Sequence, residues 1–120
     1  MAISAMSAGT LIGDTVKNSG GEKLGNLEEI MIDLESGRVA YAVLSAGGVL
    51  GMGNKLFAVP WSMVGVDLDD ESVVIDLDEE TIENAPGFDK DNWPQSSDVG
   101  WMNEVYDHYG AERYWDDENR

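Results

Sequence analysis

The stretch 40-AYAVLSAGGVLGMGNKLFAVPW-61 decides how this chain is read, because its glycine-rich centre is either a loop that wraps phosphate or the bend between two strands. A phosphate loop needs G-x-x-x-x-G-K-[ST], in which backbone N–H groups surround the phosphates, Lys reaches them and a hydroxyl holds magnesium. Gly48 and Gly53 have that spacing, but Asn54 stands before Lys55 and Leu56 replaces the hydroxyl residue. The residues from Lys55 to Trp61 read as a strand, so the helix N-terminus that would stabilise the anion is missing too. A dinucleotide fingerprint also fails, since Gly51-Met52-Gly53 has no third glycine at Leu56. The stretch is expected to bind no nucleotide. Gly47, Gly48, Gly51 and Gly53 instead let the chain leave one strand and enter the next. Val49, Leu50 and Met52 are then apolar residues at a loop tip, which either form a contact surface or pack back over the domain.

On either side of this bend the two-residue period of a strand is plain. Residues 38-RVAYAVLSA-46 put Val39, Tyr41 and Val43 on one face and Ala40, Ala42 and Leu44 on the other, as in a strand buried on both sides. In 55-KLFAVPW-61, Phe57, Val59 and Trp61 share a face, and Pro60, which cannot donate to a ladder, marks a sheet edge or a bulge. Strands 63-MVGVDL-68 and 72-SVVIDLD-78 flank the turn 69-DDE-71, and 10-TLIGDTVKN-18 is the expected first strand. The segment 24-LGNLEEIMIDL-34 fits two periods: Leu24, Leu27, Met31 and Leu34 a helical stripe, Glu28, Ile30, Ile32 and Leu34 one side of a strand. The turns 18-NSGGE-22 and 35-ESG-37 around it favour a strand. Six short strands separated by turns point to a small barrel or sandwich.

Beyond Asp78 the pattern changes. Residues 79-EETIENA-85 form an expected helix capped by Asp78 and stopped by Pro86, and 88-FDKDNWPQSS-97 reads as irregular. A second helix is expected over 99-VGWMNEVYDHY-109, with Asp98 as N-cap, Val99, Met102, Tyr106 and Tyr109 at helical spacing, and Gly110 as the stop. This region is also the acidic one. Residues 76–120 carry fourteen acids and three bases, net -11, against ten acids and four bases, net -6, in residues 1–75. It holds Phe88, Trp93, Trp101, Tyr106, Tyr109, Tyr114 and Trp115, seven of the ten aromatics, where a purely solvating acidic tail would have few. The tail is expected to dock, on its own barrel or on a dimer mate, with Trp93 and Trp101 as anchors.

The formal net charge of -17 opposes binding to nucleic acid or to anionic lipid. No apolar run reaches the ~18 residues of a membrane span, and the N-terminus lacks the basic flank of a secretory signal, so a cytoplasmic protein is expected. Without cysteine, thiolate nucleophiles, disulfides and Cys-based zinc sites are excluded. His108 has no nucleophile or second imidazole near it in sequence and reads as a helix-surface residue. The clusters Asp67, Asp69, Asp70, Glu71 and Asp76, Asp78, Glu79, Glu80 lack the D-x-[DN]-x-[DN]-G spacing that wraps calcium, and read as turn and helix-start carboxylates. Asp33 and Glu35 read as hairpin-flank residues. The expectation is therefore no catalytic, cofactor or metal residue, with Val49, Leu50, Met52, Trp93 and Trp101 as the interaction surface.

The elements G-E-x-L-G-x-[IL]-E at Gly21–Glu28, S-G-R-V-A-Y-A-V-L-S at Ser36–Ser45 and F-A-V-P-W at Phe57–Trp61, taken together, resemble the PRC-barrel domain. That family is named for the cytoplasmic domain of the photosynthetic reaction-centre H subunit and recurs as the C-terminal domain of the ribosome-maturation factor RimM. The resemblance runs from Thr10 to Phe88, and 85-APGFDKDNWP-94 is similar to a segment of stand-alone bacterial members. It implies a mainly β fold: a small six-stranded, partly open barrel over 1–88, which makes Leu24–Leu34 a strand. Residues 89–120 would be an acidic, aromatic-rich extension with a helix at 98–109. It also implies a non-enzymatic interaction and assembly module, with a second copy or another protein as partner. No membrane span is expected before the barrel and the charge opposes a site beside RNA, so neither named role is expected to carry over directly. A small carboxylate-based hydrolase with a site at the barrel mouth, and an acidic structural protein adapted to high salt, are the alternatives from other classes.

Overall fold

Strand β3 (Val39–Ser45) is buried along both faces because different parts of the chain cover each one. The computed structural model describes residues 5–45, 55–70, 72–95 and 98–119. In it, Ala42 and Leu44 point into an inner cluster with Val16, Leu24, Leu27, Phe57, Val59, Val73, Ile75 and Ile82. Tyr41 and Val43 point the other way, into an outer cluster with Leu56, Ala58, Phe88, Val105 and Tyr106. The inner cluster is the barrel core. The outer one is the seam between the sheet and the C-terminal segment.

The remaining strands are β1 (Thr15–Lys17), β2 (Lys23–Ile32), β4 (Lys55–Pro60), β5 (Val64–Asp67), β6 (Ser72–Ile75) and β7 (Gly87–Asp89). They form one open sheet in the order β5-β6-β1-β2-β3-β4-β7, with β1 and β6 parallel. β3 and β4 are antiparallel neighbours with Ser45 opposite Leu56, and the glycine stretch connects them in sequence. Residues 46–54, and with them Val49, Leu50 and Met52, lie outside the described residues.

The β2–β3 turn shows why a strand wins over a helix in residues 24–34. Gly37 takes a left-handed φ of 76°, which lets its N–H reach the Asp33 carbonyl at 2.8 Å while the Asp33 N–H reaches Arg38 O at 2.8 Å. The Asp33 carboxylate and the Ser36 hydroxyl accept from the amides of Glu35 and Arg38.

Among the described residues there are three α-helices, α1 (Ala8–Leu11), α2 (Glu79–Glu83) and α3 (Val99–Tyr109), and two 3-10 turns, Trp61–Met63 and Tyr114–Asn119. The Asp78 carboxylate accepts from Thr81 N at 2.8 Å and the Asp98 carboxylate from Trp101 N at 3.0 Å, as their N-cap positions require. Gly110 closes α3 in the left-handed conformation.

Three details differ from the sequence expectation. The sheet has seven strands instead of six. The additional one, β7, falls at the start of the segment read as irregular. It is too short to show a period, and it can lie on β4 because a Cβ at Gly87 would sit 2.8 Å from Leu56 O. The expected first strand is shorter, Thr15–Lys17, because one turn of helix precedes it and buries Leu11 in the barrel core. The strand from Ser72 ends at Ile75, before Asp76 and the cap of α2.

Candidate interaction surface

The surface that distinguishes this molecule begins with the docked C-terminal segment. Helix α3 lays Val105 and Tyr106 on the outer face of β3 and β4, and Trp101, Met102, Tyr109, Tyr114 and Trp115 pack around them. The aromatic rings interlock edge to face: Tyr106 with Trp115 at 4.7 Å, Tyr114 with Trp115 at 5.1 Å, and Phe88 with Trp101 at 5.6 Å between centroids. Polar tips tie the segment down. The Tyr106 hydroxyl donates to the carbonyl of Ala40, and the Tyr114 hydroxyl donates to the Asp33 carboxylate at 2.7 Å, under the Arg38 guanidinium 5.5 Å from the ring centroid. His108 Nε2 donates to Thr81 O at 2.9 Å, joining α3 to α2, which is a structural use of the chain's one imidazole.

The packing sets the electrostatics. The hydroxyl of Tyr114 holds the Asp33 carboxyl below the usual carboxylate range, with the Glu35 amide assisting and burial opposing. Burial pushes Tyr106 up to about 12 and raises Tyr109 and Tyr114 further, Tyr114 with the Asp33 charge adding to the effect. Three buried polar atoms, Trp101 Nε1, Asn103 Oδ1 and Tyr109 Oη, have no protein partner among the described residues.

The two tryptophans singled out from sequence divide. Trp101 is half-buried in the seam, edge-on to Phe88 and to Tyr41 at 6.5 Å. Trp93 rests on Phe88 at 4.9 Å yet remains 38% exposed and lines an open groove of about 430 Å³ with Glu29, Ile30, Met31 and Ile32. Within the groove Ile32 is 57% exposed, and beyond it Leu34 at the β2–β3 turn is 90% exposed, neither singled out from sequence as surface. A second open groove, about 320 Å³, lies between Arg38, Trp61, Tyr106, Glu112 and Tyr114. Each groove is lined by a single carboxylate, and among the described residues no three carboxylates or imidazoles converge.

The family model for the PRC-barrel domain matches residues 4–82, the part of the chain that carries β1 to β6 of the open sheet. The chain belongs to the PRC-barrel family. No curated protein matches it. PRC barrels are an interaction and assembly fold, and the family is generally non-enzymatic. In this PRC barrel the match ends before β7, so the residues that cover the outer face of β3 and β4 lie beyond the matched segment. No described helix is long and apolar enough to cross a membrane.

Proposed function

We propose that this PRC barrel is a non-enzymatic assembly module of the cytoplasm, which associates with a second copy of itself and docks on other protein, and which takes neither nucleotide nor nucleic acid. The observation that carries the reading is the apolar surface left outside the core, where Ile32, Leu34 and Trp93 remain exposed although the tail supplies aromatics enough to cover a whole sheet face. Family membership supports it, and so does the open, mainly apolar character of both grooves, which is the shape of a docking face and not of a deep site with convergent polar groups. Self-association is assigned to the glycine-rich stretch between β3 and β4, whose sequence carries the three apolar residues Val49, Leu50 and Met52 outside the described residues.

Light scattering on the purified chain tests this. A dimer mass at high micromolar concentration is expected, reduced to the monomer mass by Leu50→Asp. A monomer mass for the unaltered chain overturns self-association.

A further inference from the structure

β2 is flanked on both sides for only part of its length. Its first residues pair with β1, from Lys23 opposite Lys17 to Asn26 opposite Thr15, and Leu27 exchanges backbone bonds with Gly13 and Asp14 at 2.7 and 2.9 Å. Glu28 falls at an irregularity in the β2–β3 register, and from Glu29 to Ile32 the strand pairs with β3 alone among the described residues. On this stretch the Ile30 N–H donates to the carboxylate of its neighbour Glu29 at 3.3 Å.

The groove beside Trp93 lies along this same edge. Ile30 packs toward the barrel core and Met31 toward the tail seam, so their side chains lie on opposite faces of the sheet, yet both line the groove together with Glu29 and Ile32. A depression lined by four consecutive strand residues runs beside the backbone, and β3 already occupies one side. The groove is therefore an unfilled strand position, about five residues or ~17 Å long, with Trp93 as an aromatic wall.

We infer that the free edge of β2 at Glu28–Ile32 accepts an extended, cationic and apolar segment of a partner protein as an added strand, with apolar side chains against Trp93, Met31 and Ile32. Strand addition supplies the backbone bonds this edge lacks and places alternate side chains of the guest on the groove. The sign of the guest comes from charge. The strand edge and the turn that follows it carry Glu28, Glu29, Asp33 and Glu35 against Arg38, within a chain of net charge -17. Arg38 is already engaged on the Tyr114 ring. A second copy of this chain would bring Glu28 and Glu29 of two molecules into one ladder, where like charges are destabilising. A basic segment meets the opposite charge at every one of these positions.

This inference rests on the interaction-module reading, and its test separates the two. The unaltered full chain is titrated calorimetrically with a short blocked peptide of alternating lysine and valine, and with its glutamate and valine counterpart, while backbone amide exchange is followed. The cationic peptide is expected to bind, slowing exchange at residues 28–32, and the acidic one is not. Glu29→Lys and Ile32→Asp, both at solvent-accessible positions, should each weaken binding by about tenfold or more, whereas Asp69→Lys in the β5–β6 turn should change it by less than about twofold. Equal losses from Glu29→Lys and Asp69→Lys, or protection elsewhere on the sheet, mean unspecific attraction to an acidic surface and overturn the assignment. No peptide binding by a chain that is still dimeric, or a dimer that Ile32→Asp dissociates, also overturns it while leaving the assembly-module reading intact.

Discussion

Tyr114 and Asp33 are separated by 81 residues in sequence, and their bond fixes the end of the tail to the β2–β3 turn. Removing the hydroxyl with Tyr114→Phe should cost about 1 kcal/mol, at the lower end for a bond to a partly exposed charge. The pH dependence comes from the carboxylate. Its folded pKa is depressed, so its contribution is complete above the unfolded value near ~3.9 and is lost as pH falls through the depressed one. Denaturant melts of the two proteins should thus differ at neutral pH and converge in strong acid; a difference that persists there would disconnect the hydroxyl from Asp33. The tyrosines themselves act at the other end of the scale. Burial raises Tyr106 to about 12, and Tyr109 and Tyr114 move the same way, so the folded state holds these protons more tightly than the unfolded one. Stability is therefore expected to be level up to pH ~10, the unfolded tyrosine value, and to decline as pH rises through about 12. Tyrosinate absorbance should rise together with the loss of near-ultraviolet circular dichroism, and independent titration of all four tyrosines below pH ~10 would contradict the docked seam.

Among the elements, the strands that carry a clean period were legible and the short ones were not. β3 and β4 are readable because Val39–Leu44 and Phe57–Trp61 alternate, and their two-sided burial already implied that something must cover the outer face. α3 supplies that cover through Met102, Tyr106 and Tyr109 of the expected stripe together with Val105, which the stripe did not include, while Val99, expected in it, is 59% exposed. β7 carries no such signal, because three residues beginning with glycine have no pattern to read. The free edge of β2 is equally invisible in sequence, since it depends on where β1 stops, which a turn of helix around Leu11 decides. β7 nonetheless matters to the seam, because Phe88 stands between Trp93 and Trp101. An added Cβ at Gly87 would meet Leu56 O at 2.8 Å and Phe57 Cδ1 at 3.1 Å, a backbone atom and a core ring that cannot both give way. Gly87→Ala is expected to lower stability by about 1–3 kcal/mol and to speed amide exchange in α3, as overpacking between paired strands should. Unchanged exchange across Val99–Tyr109 would show that β7 does not support the helix.

At the scale of the whole molecule the governing quantity is charge, and it works against the packing just described. The chain carries a net -17, and the two ion pairs among the described residues, Lys17 with Asp70 and Arg113 with Asp107, neutralise little of it. The docked segment presents Glu104, Asp107, Glu112 and Asp116 to solvent, beside a barrel that is itself acidic, so folding gathers like charges that the unfolded chain would spread apart. What holds the segment is the apolar seam, where burying each tryptophan contributes roughly 2–3 kcal/mol and does not weaken with ionic strength. Salt therefore acts on one side of the balance. Raising ionic strength shortens the screening length from ~30 Å at 0.01 M to ~8 Å at 0.15 M, which removes much of the repulsion and leaves the seam untouched. The melting temperature of the full chain should rise over that range, and amide protection in Val99–Tyr109 should rise with it. A guest strand of opposite charge on the β2 edge should respond with the opposite sign, binding more weakly as salt increases. The pair of measurements distinguishes a self-repelling tail held by apolar contact from one held by charge attraction, because in the second case salt would loosen the tail and the guest alike.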